Sequence, residues 1–341
     1  MSLAIPRRKP VTVSQEAMVH QELPAPGQSL PLIVQPAFKG MSLVTWAAAN
    51  RELVQGLVVR HGGVVFRNFE ERTVEQFEQF TRAISMELVE YRERSSPRSQ
   101  VSGRVYTSTD YPADQEIFLH NENSYQHIWP MKIFFFCVVA ASEGGATPIA
   151  DCRKVYNRID PAIRERFRTK KWMVVRNYGD GFGLPWQTVF QTTDKAAVEN
   201  HCREHGIEAE WKSDGRLRTR AVRPAAVRHP QSGEMTWFNH ATFFHVSTLI
   251  PLVREALLAE FDEEDLPSNS YYGDGSPIEP SVLDELRGIY GEEKVSIPWQ
   301  EGDLLMLDNL LVAHGRASYS GDRKIVVGMA EPRRWEEVEV G

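Results

Sequence analysis

The period with which apolar and polar positions alternate divides the first 100 residues into predicted elements. Residues 1–35 are rich in proline and show no sustained period, so we predict an irregular N-terminal arm. Apolar residues at helix spacing predict one helix over 42–61, and a short apolar run predicts a strand at 64–69. A second helix is predicted from the capping-box pattern at Thr73 through about residue 86.

From about residue 100 the pattern changes to short β-rich runs. They fall into two clusters, at 100–150 and 290–332, with a mixed segment at 151–290 between them. A regular alternation of strands and helices would instead predict a parallel, doubly wound sheet. We therefore predict an α+β fold, with a double-stranded β-helix core (jelly-roll or cupin type) flanked by helices. A single domain should span 36–341, with 151–290 as a mixed insert. The predicted strands are 105–109, 133–140, 172–177, 235–240, 294–297, 303–307 and 324–330, and the predicted helices are 151–159, 161–171, 248–260 and 281–290.

Composition excludes several classes of protein. The 341 residues include 39 Lys and Arg against 46 Asp and Glu, a net charge of −7 that argues against nucleic acid as a partner. The most apolar run, residues 133–141, is too short to span a membrane. Three cysteines without a CxxC pair exclude a disulfide framework and a Cys-based zinc site. No apolar stretch follows the basic residues near the N-terminus, so we expect a cytoplasmic protein without a secretory signal.

The most informative stretch for chemistry is His120-Asn121-Glu122. On a strand, His120 and Glu122 would point to one face and Asn121 away from it. A third metal ligand could be His314, which follows a predicted strand near the C-terminus. Two histidines and one carboxylate that leave three positions open are typical of non-haem Fe(II) oxygenases, whereas zinc is more often four-coordinate. The alternative is a chance triplet, since HxE is common and the chain has ten histidines.

A candidate anion site lies close to His314 in sequence. Arg323 stands at the start of the predicted strand 324–330. If that strand pairs with the one leading to His314, the guanidinium would project into the barrel near the metal, where its planar donors suit a carboxylate. The alternative is a surface arginine in a turn, and Lys324 and Arg316 are then the other candidate cations.

Four short blocks together resemble a known family. They match, in order, the taurine dioxygenase/clavaminate synthase-like Fe(II)- and 2-oxoglutarate-dependent oxygenases over about residues 40–335. The longer context, including Tyr106 to Pro112 and Trp237-Phe238-Asn239, resembles more closely the syringomycin-type aspartyl β-hydroxylases, which act on amino acids held on carrier proteins. The four blocks are His120-Asn121-Glu122, Gly144-Gly145-Ala146-Thr147, Asp308-Asn309 leading to His314, and Gly321-Asp322-Arg323.

The resemblance implies an activity and its cofactors. It implies Fe(II) held by His120, Glu122 and His314, and 2-oxoglutarate whose far carboxylate pairs with Arg323 and Thr147. With O2, such an enzyme hydroxylates an unactivated carbon, here of an amino-acid substrate, free or carrier-bound, in specialised-metabolite (antibiotic) biosynthesis. Related halogenases lack the carboxylate, so its presence favours hydroxylation, with desaturation or cyclisation as alternatives. The arginine that binds the sulfonate of taurine has no counterpart here, which argues against taurine as substrate.

Substrate and partner residues follow only from the resemblance, and each has a structural alternative. The pocket candidates could instead be core residues, and the spacing of His240 and His245 favours pocket or core histidines over metal ligands. Basic residues concentrated in 153–171 could dock an acidic carrier protein or form a solvated helix face. A different class altogether, a non-oxygenase metal-binding barrel acting as an isomerase or binding module, also remains open. The pocket candidates are Tyr125, Trp186, Trp237, Asn239 and His240; the basic residues are Arg153, Lys154, Arg158, Arg164, Arg166, Arg168, Lys170 and Lys171.

Overall fold

A computed structural model describes residues 18–85, 88, 100–108, 111–179 and 184–341. The first 17 residues of the predicted arm and the end of the second predicted helix, at residue 86, lie outside the described residues. The strands are β1 (Val19–Glu22), β2 (Leu32–Pro36), β3 (Gly63–Phe66), β4 (Gln100–Ser102), β5 (Val105–Thr107), β6 (Ile117–His120), β7 (Ile128–Val139), β8 (Glu143–Gly144), β9 (Ile149–Asp151), β10 (Trp172–Tyr178), β11 (Ile207–Trp211), β12 (Leu217–Arg223), β13 (Ala226–Arg228), β14 (Met235–Trp237), β15 (Ser268–Tyr272), β16 (Leu304–Asp308), β17 (Val312–Arg316), β18 (Tyr319–Ser320), β19 (Lys324–Arg334) and β20 (Glu339–Val340). The helices are α1 (Leu43–Ala49), α2 (Arg51–His61), α3 (Val74–Ile84), α4 (Cys152–Arg158), α5 (Pro161–Lys170), α6 (Trp186–Phe190), α7 (Lys195–Glu204), α8 (Ala241–Phe244), α9 (Pro251–Glu260) and α10 (Pro280–Glu293).

The single helix predicted over 42–61 is two helices, α1 and α2, which separate at Asn50. The Asn50 side chain donates a hydrogen bond to the Trp46 carbonyl at 2.8 Å, and its φ of −124° is not helical. Asparagine competes in this way for backbone hydrogen bonds, which interrupts a helix that apolar spacing alone would continue. The capping box predicted at Thr73 is confirmed, because both of its hydrogen bonds with Gln76 are present at the start of α3.

The irregular arm predicted over residues 1–35 is wrong for its described part, which contains β1 and β2. β2 pairs in parallel with β3, with Leu32 opposite Val64. A run of three apolar residues near prolines is too short to reveal a period, but both of its faces are buried in a sheet.

Two further stretches of β structure differ from the prediction. The strand predicted at 294–297 is wrong, because only Val295 forms an isolated bridge, with Ile149. Conversely, a four-stranded sheet in the order β11-β12-β10-β15 lies where only β10 had a predicted strand. In this sheet Glu208 lies opposite Arg220, and the two side chains form an ion pair at 2.9 Å. Such cross-strand charge pairs stabilise a sheet while their polar sequence conceals the strand.

Two sheets position the C-terminal strands. An eight-stranded sheet has the order β1-β2-β3-β16-β7-β19-β5-β4, and all of its pairings are antiparallel except β2 with β3. A three-stranded antiparallel sheet has the order β6-β17-β9. Consecutive strands β16 and β17 therefore belong to different sheets, and the turn between them, residues 309–311, joins the two.

Alternating side chains sort the core into layers, as expected for strands buried on both faces. On β7, Phe134 packs with helices α1 to α3, whereas Phe135 packs on the other face. On β17, Val312 shares the cluster of Phe135, whereas the next residue, Ala313, packs with α4, α5 and α10. The two sheets thus share one apolar layer between them. Among the described helices, none is long and apolar enough to cross a bilayer.

Candidate active site

His120 and His314 are brought together by strand pairing. His120 ends β6 and lies directly opposite His314 on β17, and their ring centroids are 4.6 Å apart. His314 has the same strand parity as Val312, so its ring points into the layer between the sheets, where it contacts Phe135 at 5.1 Å. His314 Nδ1 is buried and makes no hydrogen bond, so packing against Phe135 fixes the ring.

Glu122 reaches the same place by a different route from the one predicted. The strand ends at His120, so the argument from a shared strand face is wrong, and Glu122 lies in the following turn. Buried Asn309 holds this turn: its Oδ1 accepts from the Glu122 N–H at 2.8 Å, and its Nδ2 donates to the Glu122 carbonyl at 2.9 Å. Asn121 Nδ2 in turn donates to the Asn309 carbonyl at 2.7 Å. The turn before β17 therefore positions the carboxylate.

A buried charge cluster stabilises that turn from the other side. Lys132 Nζ lies 2.5 Å from Asp308 Oδ2, His229 Nε2 donates to the same oxygen at 3.2 Å, and all three residues are buried. Asp308 Oδ1 accepts from the backbone N–H groups of Leu310 and Leu311. Although burial by itself would raise the pKa of Asp308, Lys132 and His229 hold that pKa below its usual range. The carboxylate is therefore ionised, and its hydrogen bonds fix the start of β17.

The three side chains form a group able to hold a metal ion. One donor atom from each of His120, Glu122 and His314 lies within 4.8 Å of the others, and Glu122 Oε2 is 3.6 Å from His314 Nε2. His120 Nδ1 is 2.8 Å from the Phe118 carbonyl, which leaves Nε2 as its donor toward the group. Two imidazoles and one carboxylate suit ferrous iron. Across the described ranges, no other three His, Cys, Asp or Glu side chains meet in this way.

The surroundings of Arg323 differ from those that the sequence predicted. The expected pairing of its strand with the one leading to His314 is wrong, because β7 lies between β16 and β19, and β19 pairs with β5 and β7. Arg323 Nε donates to the Gly145 carbonyl at 2.9 Å, and Nη1 lies 3.4 Å from Ser108 Oγ. Burial, with an added effect of nearby Arg316, lowers the pKa of Arg323 to about 10. A half-buried cation of this kind is stabilised by a bound anion. Lys324, by contrast, is exposed.

Thr147 lies just after β8, in a segment that packs against residues 318–320, a few positions after His314. β8 pairs with β18, and the Gly145 N–H donates to the Ser318 carbonyl at 2.9 Å. Gly144 has φ +69°, and a Cβ there would lie 2.2 Å from the Ser318 carbonyl oxygen, so only glycine allows this approach. Buried Thr147 accepts a hydrogen bond from Trp299 Nε1 at 3.2 Å. Arg323, which donates to the Gly145 carbonyl, therefore contacts the same segment that contains Thr147.

Arg316, one of the alternative cations, uses its guanidinium to bind backbone carbonyl groups. Its guanidinium is buried and donates to the carbonyls of Tyr111, Pro112 and Gln115. These bonds hold residues 111–115, which precede β6 and hence His120. Burial lowers the pKa of Arg316. Its contacts make it a support for the loop.

Comparison with known proteins identifies the family. The model of the taurine catabolism dioxygenase TauD, TfdA family matches residues 25–330. The chain belongs to this family. It is an Fe(II)- and 2-oxoglutarate-dependent dioxygenase that uses O2, and this membership decides against the alternative of a non-oxygenase barrel.

Relatives and solved structures agree with this assignment. The dioxygenase is 38% identical to the dapdiamide synthesis protein DdaC of Enterobacter agglomerans over 310 residues, which cover 88% of this chain and 94% of that protein. It is 28% identical to a clavaminate synthase-like protein of Arabidopsis thaliana over 320 residues, 91% and 90% of the two chains. The PvcB protein of Pseudomonas aeruginosa has a TM-score of 0.55 at 15% identity, over 97% of this chain and 95% of that one, a likeness that shows the fold alone.

Two of the five predicted pocket residues lie beside the metal group. The His240 ring is 5.3 Å from that of His120, and Tyr125 meets His240 edge-on at 5.2 Å. Burial, with a smaller effect of His120, holds the pKa of His240 well below its usual range, so its imidazole is neutral. The ring of Phe243 is 4.7 Å from that of His120, but Phe243 was not among the predicted pocket residues. Nothing in the sequence distinguishes a phenylalanine near the metal group from one in the core.

The other three candidates make contacts typical of the protein interior. Trp186 packs against Trp211 at 5.1 Å, and Trp237 against Phe167 at the same distance. The Asn239 side chain donates to the Ala225 carbonyl and accepts from the Ala241 N–H. Their roles toward a substrate stay predictions.

The basic segment 153–171 is largely neutralised within the protein. Five of its eight basic side chains form ion pairs with carboxylates, whereas Lys154, Arg164 and Lys171 form none with the described residues. Arg164 instead lies 4.9 Å above the Tyr156 ring. A solvated and ion-paired surface therefore accounts for most of this charge. The pairs are Arg153 with Asp151 and Glu234, Arg158 with Glu292 and Glu293, Arg166 with Glu279, Arg168 with Glu165, and Lys170 with Asp274.

Proposed function

We propose that this dioxygenase hydroxylates an unactivated carbon of an amino-acid-derived small molecule in the biosynthesis of a specialised metabolite. The observation that carries the proposal is the 38% identity with a dapdiamide synthesis protein over 94% of that protein's length. The carboxylate of Glu122 within the metal group supports hydroxylation in preference to halogenation.

His120, Glu122 and His314 would hold the iron. Together with 2-oxoglutarate and O2, iron bound at such a set supplies an oxidant able to remove hydrogen from an unactivated carbon. The contribution of the chain is geometric: strand pairing orients both imidazoles, and Asn309 fixes the carboxylate. Arg323 would pair with the far carboxylate of 2-oxoglutarate, and the Thr147 hydroxyl would add a hydrogen bond. The lowered pKa of Arg323 supports this role, because a half-buried guanidinium is stabilised by an anion.

The fold assigned to this activity is a double-stranded β-helix in one domain, with 151–290 as an insert. It is supported by the shared apolar layer between the sheets and by the way β16 and β17 alternate between them. We further propose a cytoplasmic enzyme acting on a free substrate. The ion pairs of the basic segment support the free form, since few of its charges remain to attract an acidic carrier protein.

A product assay tests the proposed function. The iron-loaded enzyme is incubated with 2-oxoglutarate, O2 and a panel of amino acids, each offered free and as a small thioester, and the products are analysed by mass spectrometry. We expect succinate together with a product that has gained one oxygen atom from a free amino acid. Loss of two hydrogens would instead indicate desaturation or cyclisation, and conversion of the thioesters alone would indicate a tethered substrate. Turnover without any change in the panel would contradict the proposed substrate class.

A pair of variants tests the 2-oxoglutarate assignment. Arg323→Ala should raise the KM for 2-oxoglutarate by about 10- to 100-fold, because a charge-assisted pair contributes more than an ordinary hydrogen bond. Lys324→Ala, the exposed neighbour, should leave that KM within about 2-fold of the wild-type value. The measurement is succinate formation against 2-oxoglutarate concentration at saturating iron. The opposite ranking of the two variants would transfer the role to Lys324.

A further inference from the structure

His240 has an unusual hydrogen-bonding state for a buried residue. It is only 3% exposed, and its Nδ1 lies 2.5 Å from Ser124 Oγ. Phe244 stacks on its ring at 5.1 Å, with Tyr125 at 5.2 Å and Phe243 at 5.3 Å. Its other nitrogen, Nε2, has no hydrogen-bond partner among the described residues and is not one of their fully buried unsatisfied atoms, so a molecule from outside can reach it. A polar atom in such a site normally has a partner, so a partner from outside the chain is expected.

The hydrogen bond with Ser124 bears on which nitrogen of His240 can donate to a ligand. Ser124 is fully buried, and His240 Nδ1 is the partner of its hydroxyl. If Nδ1 carried the proton, the hydroxyl hydrogen would be left without an acceptor in a place that no ligand can reach. If the hydroxyl donates to Nδ1 instead, the proton lies on Nε2, and the one unsatisfied donor belongs to a ring beside the metal group. The second arrangement leaves no donor permanently buried without an acceptor.

The position of this donor indicates what it binds. The His240 ring, which carries Nε2–H, is 5.3 Å from the ring of His120 and packs among the rings of Tyr125, Phe243 and Phe244. Aromatic walls exclude water from a substrate and leave a single directional donor to orient it. Building on the proposed function, we propose that His240 Nε2–H binds a carbonyl-type oxygen of the substrate, in a carboxylate or an amide, close to the carbon that is oxidised.

The chain provides a matched control for this pair. His245, five residues farther along, also has its Nδ1 bonded to a serine hydroxyl, that of Ser247 at 2.7 Å. Its ring is not among those that contact the metal group. Variants of His245, which is half-buried, therefore remove the same kind of pair without altering the environment of His120.

The proton position is tested first, without any substrate. In protein labelled with ¹⁵N in its imidazole rings and loaded with Zn(II) and 2-oxoglutarate, the signals that disappear in His240→Gln identify His240. We expect the Nε2–H tautomer in the wild type and a larger Nδ1–H share in Ser124→Ala. An Nδ1–H tautomer in the wild type would overturn the proposal, whatever the result of the product assay.

The ligand is tested with matched probes. These are the amino acid that yields most product in the assay above, its primary amide, and the corresponding amine without a carboxyl group. Binding is followed anaerobically by the change in the visible absorption of the enzyme with Fe(II) and 2-oxoglutarate. We expect the acid and the amide to bind about 10-fold more tightly than the amine, as for one buried hydrogen bond. A stronger effect for the acid would assign a carboxylate, and a stronger effect for the amide would assign a carbonyl.

The variants separate this role from a structural one. His240→Phe should abolish the preference for the acid or amide, whereas the absorption with Fe(II) and 2-oxoglutarate alone should be unchanged. His240→Gln, which retains a donor near the position of Nε2, should restore part of the preference, and His245→Phe should leave it intact. Equal binding of acid, amide and amine by the wild type, or an unchanged preference in His240→Phe, would refute the proposal. If no amino acid is a substrate, the proposed function fails, and the tautomer result still decides whether the donor exists.

Discussion

Replacing His314 by alanine is expected to abolish the visible charge-transfer band that the enzyme develops with Fe(II) and 2-oxoglutarate in the absence of O2. The variant retains only two of three ligands, and Glu122 loses the imidazole that faces it at 3.6 Å. Loss of residues that merely support a metal ligand already costs about 10- to 100-fold in metal affinity or activity, so loss of a ligand should cost more. Glu122→Ala should have the same effect, because it removes the only anionic donor of the group.

The measurement is an anaerobic titration with Fe(II) at saturating 2-oxoglutarate, followed by an assay of succinate formation. His245→Ala is the control, since it removes a half-buried histidine outside the metal group. Circular dichroism and the thermal midpoint show whether each variant is folded. A folded His314→Ala protein that develops the band with the affinity of the wild type would disprove the assignment of the ligands.

The strand pairing that makes this group possible was only partly predictable from sequence. His120, Glu122 and His314 could be selected by residue type and order, and the structure brings them together. The predicted reason was wrong for Glu122, which lies in a turn rather than on a strand face. Asn309, which holds that turn, lies 187 residues away in sequence. The local spacing of apolar residues cannot predict a contact between residues so far apart.

The proposed anion site was also predictable only in part, because its position depends on contacts between distant parts of the chain. Arg323 was selected by its distance from His314 along the chain and by an assumed pairing of neighbouring strands. The pairing was wrong, because β7 lies between them, yet the guanidinium still reaches Gly145. Local patterns predicted some elements to within a few residues, among them α4, α5, α10, β10 and β16, and gave no prediction for most of the short strands. The order of strands in a sheet depends instead on long-range packing, which a single sequence does not reveal.

The buried charges next to Asn309 were the least predictable feature, and they carry the largest expected effect on stability. Lys132 lies within the apolar strand β7 and resembles a surface residue in sequence, but it is buried beside Asp308. We expect Lys132→Met to lower the free energy of unfolding by about 3 to 5 kcal/mol, because it leaves the Asp308 charge buried without its closest cation. Arg158→Met, which breaks the surface ion pairs with Glu292 and Glu293, should cost at most about 1 kcal/mol.

A second variant shows that the cost arises from the unpaired charge. In Lys132→Met combined with Asp308→Asn, the amide oxygen can still accept from Leu310 and Leu311. The His229 Nε2–H loses its acceptor, which costs less than a buried charge without a partner. The double variant should therefore be more stable than Lys132→Met alone, as measured by urea unfolding at pH 7. A loss below about 1 kcal/mol in Lys132→Met would contradict this account.

The pH dependence follows with a definite sign. Because the folded pKa of Asp308 lies below that of an unfolded aspartate, its contribution to stability is present above about pH 4 and is lost as the pH falls through the folded pKa. Lys132→Met removes the nearest cation and raises that folded pKa. The stability difference between wild type and variant should therefore be largest near neutral pH and should shrink in acid, where protonation removes the buried charge in both proteins.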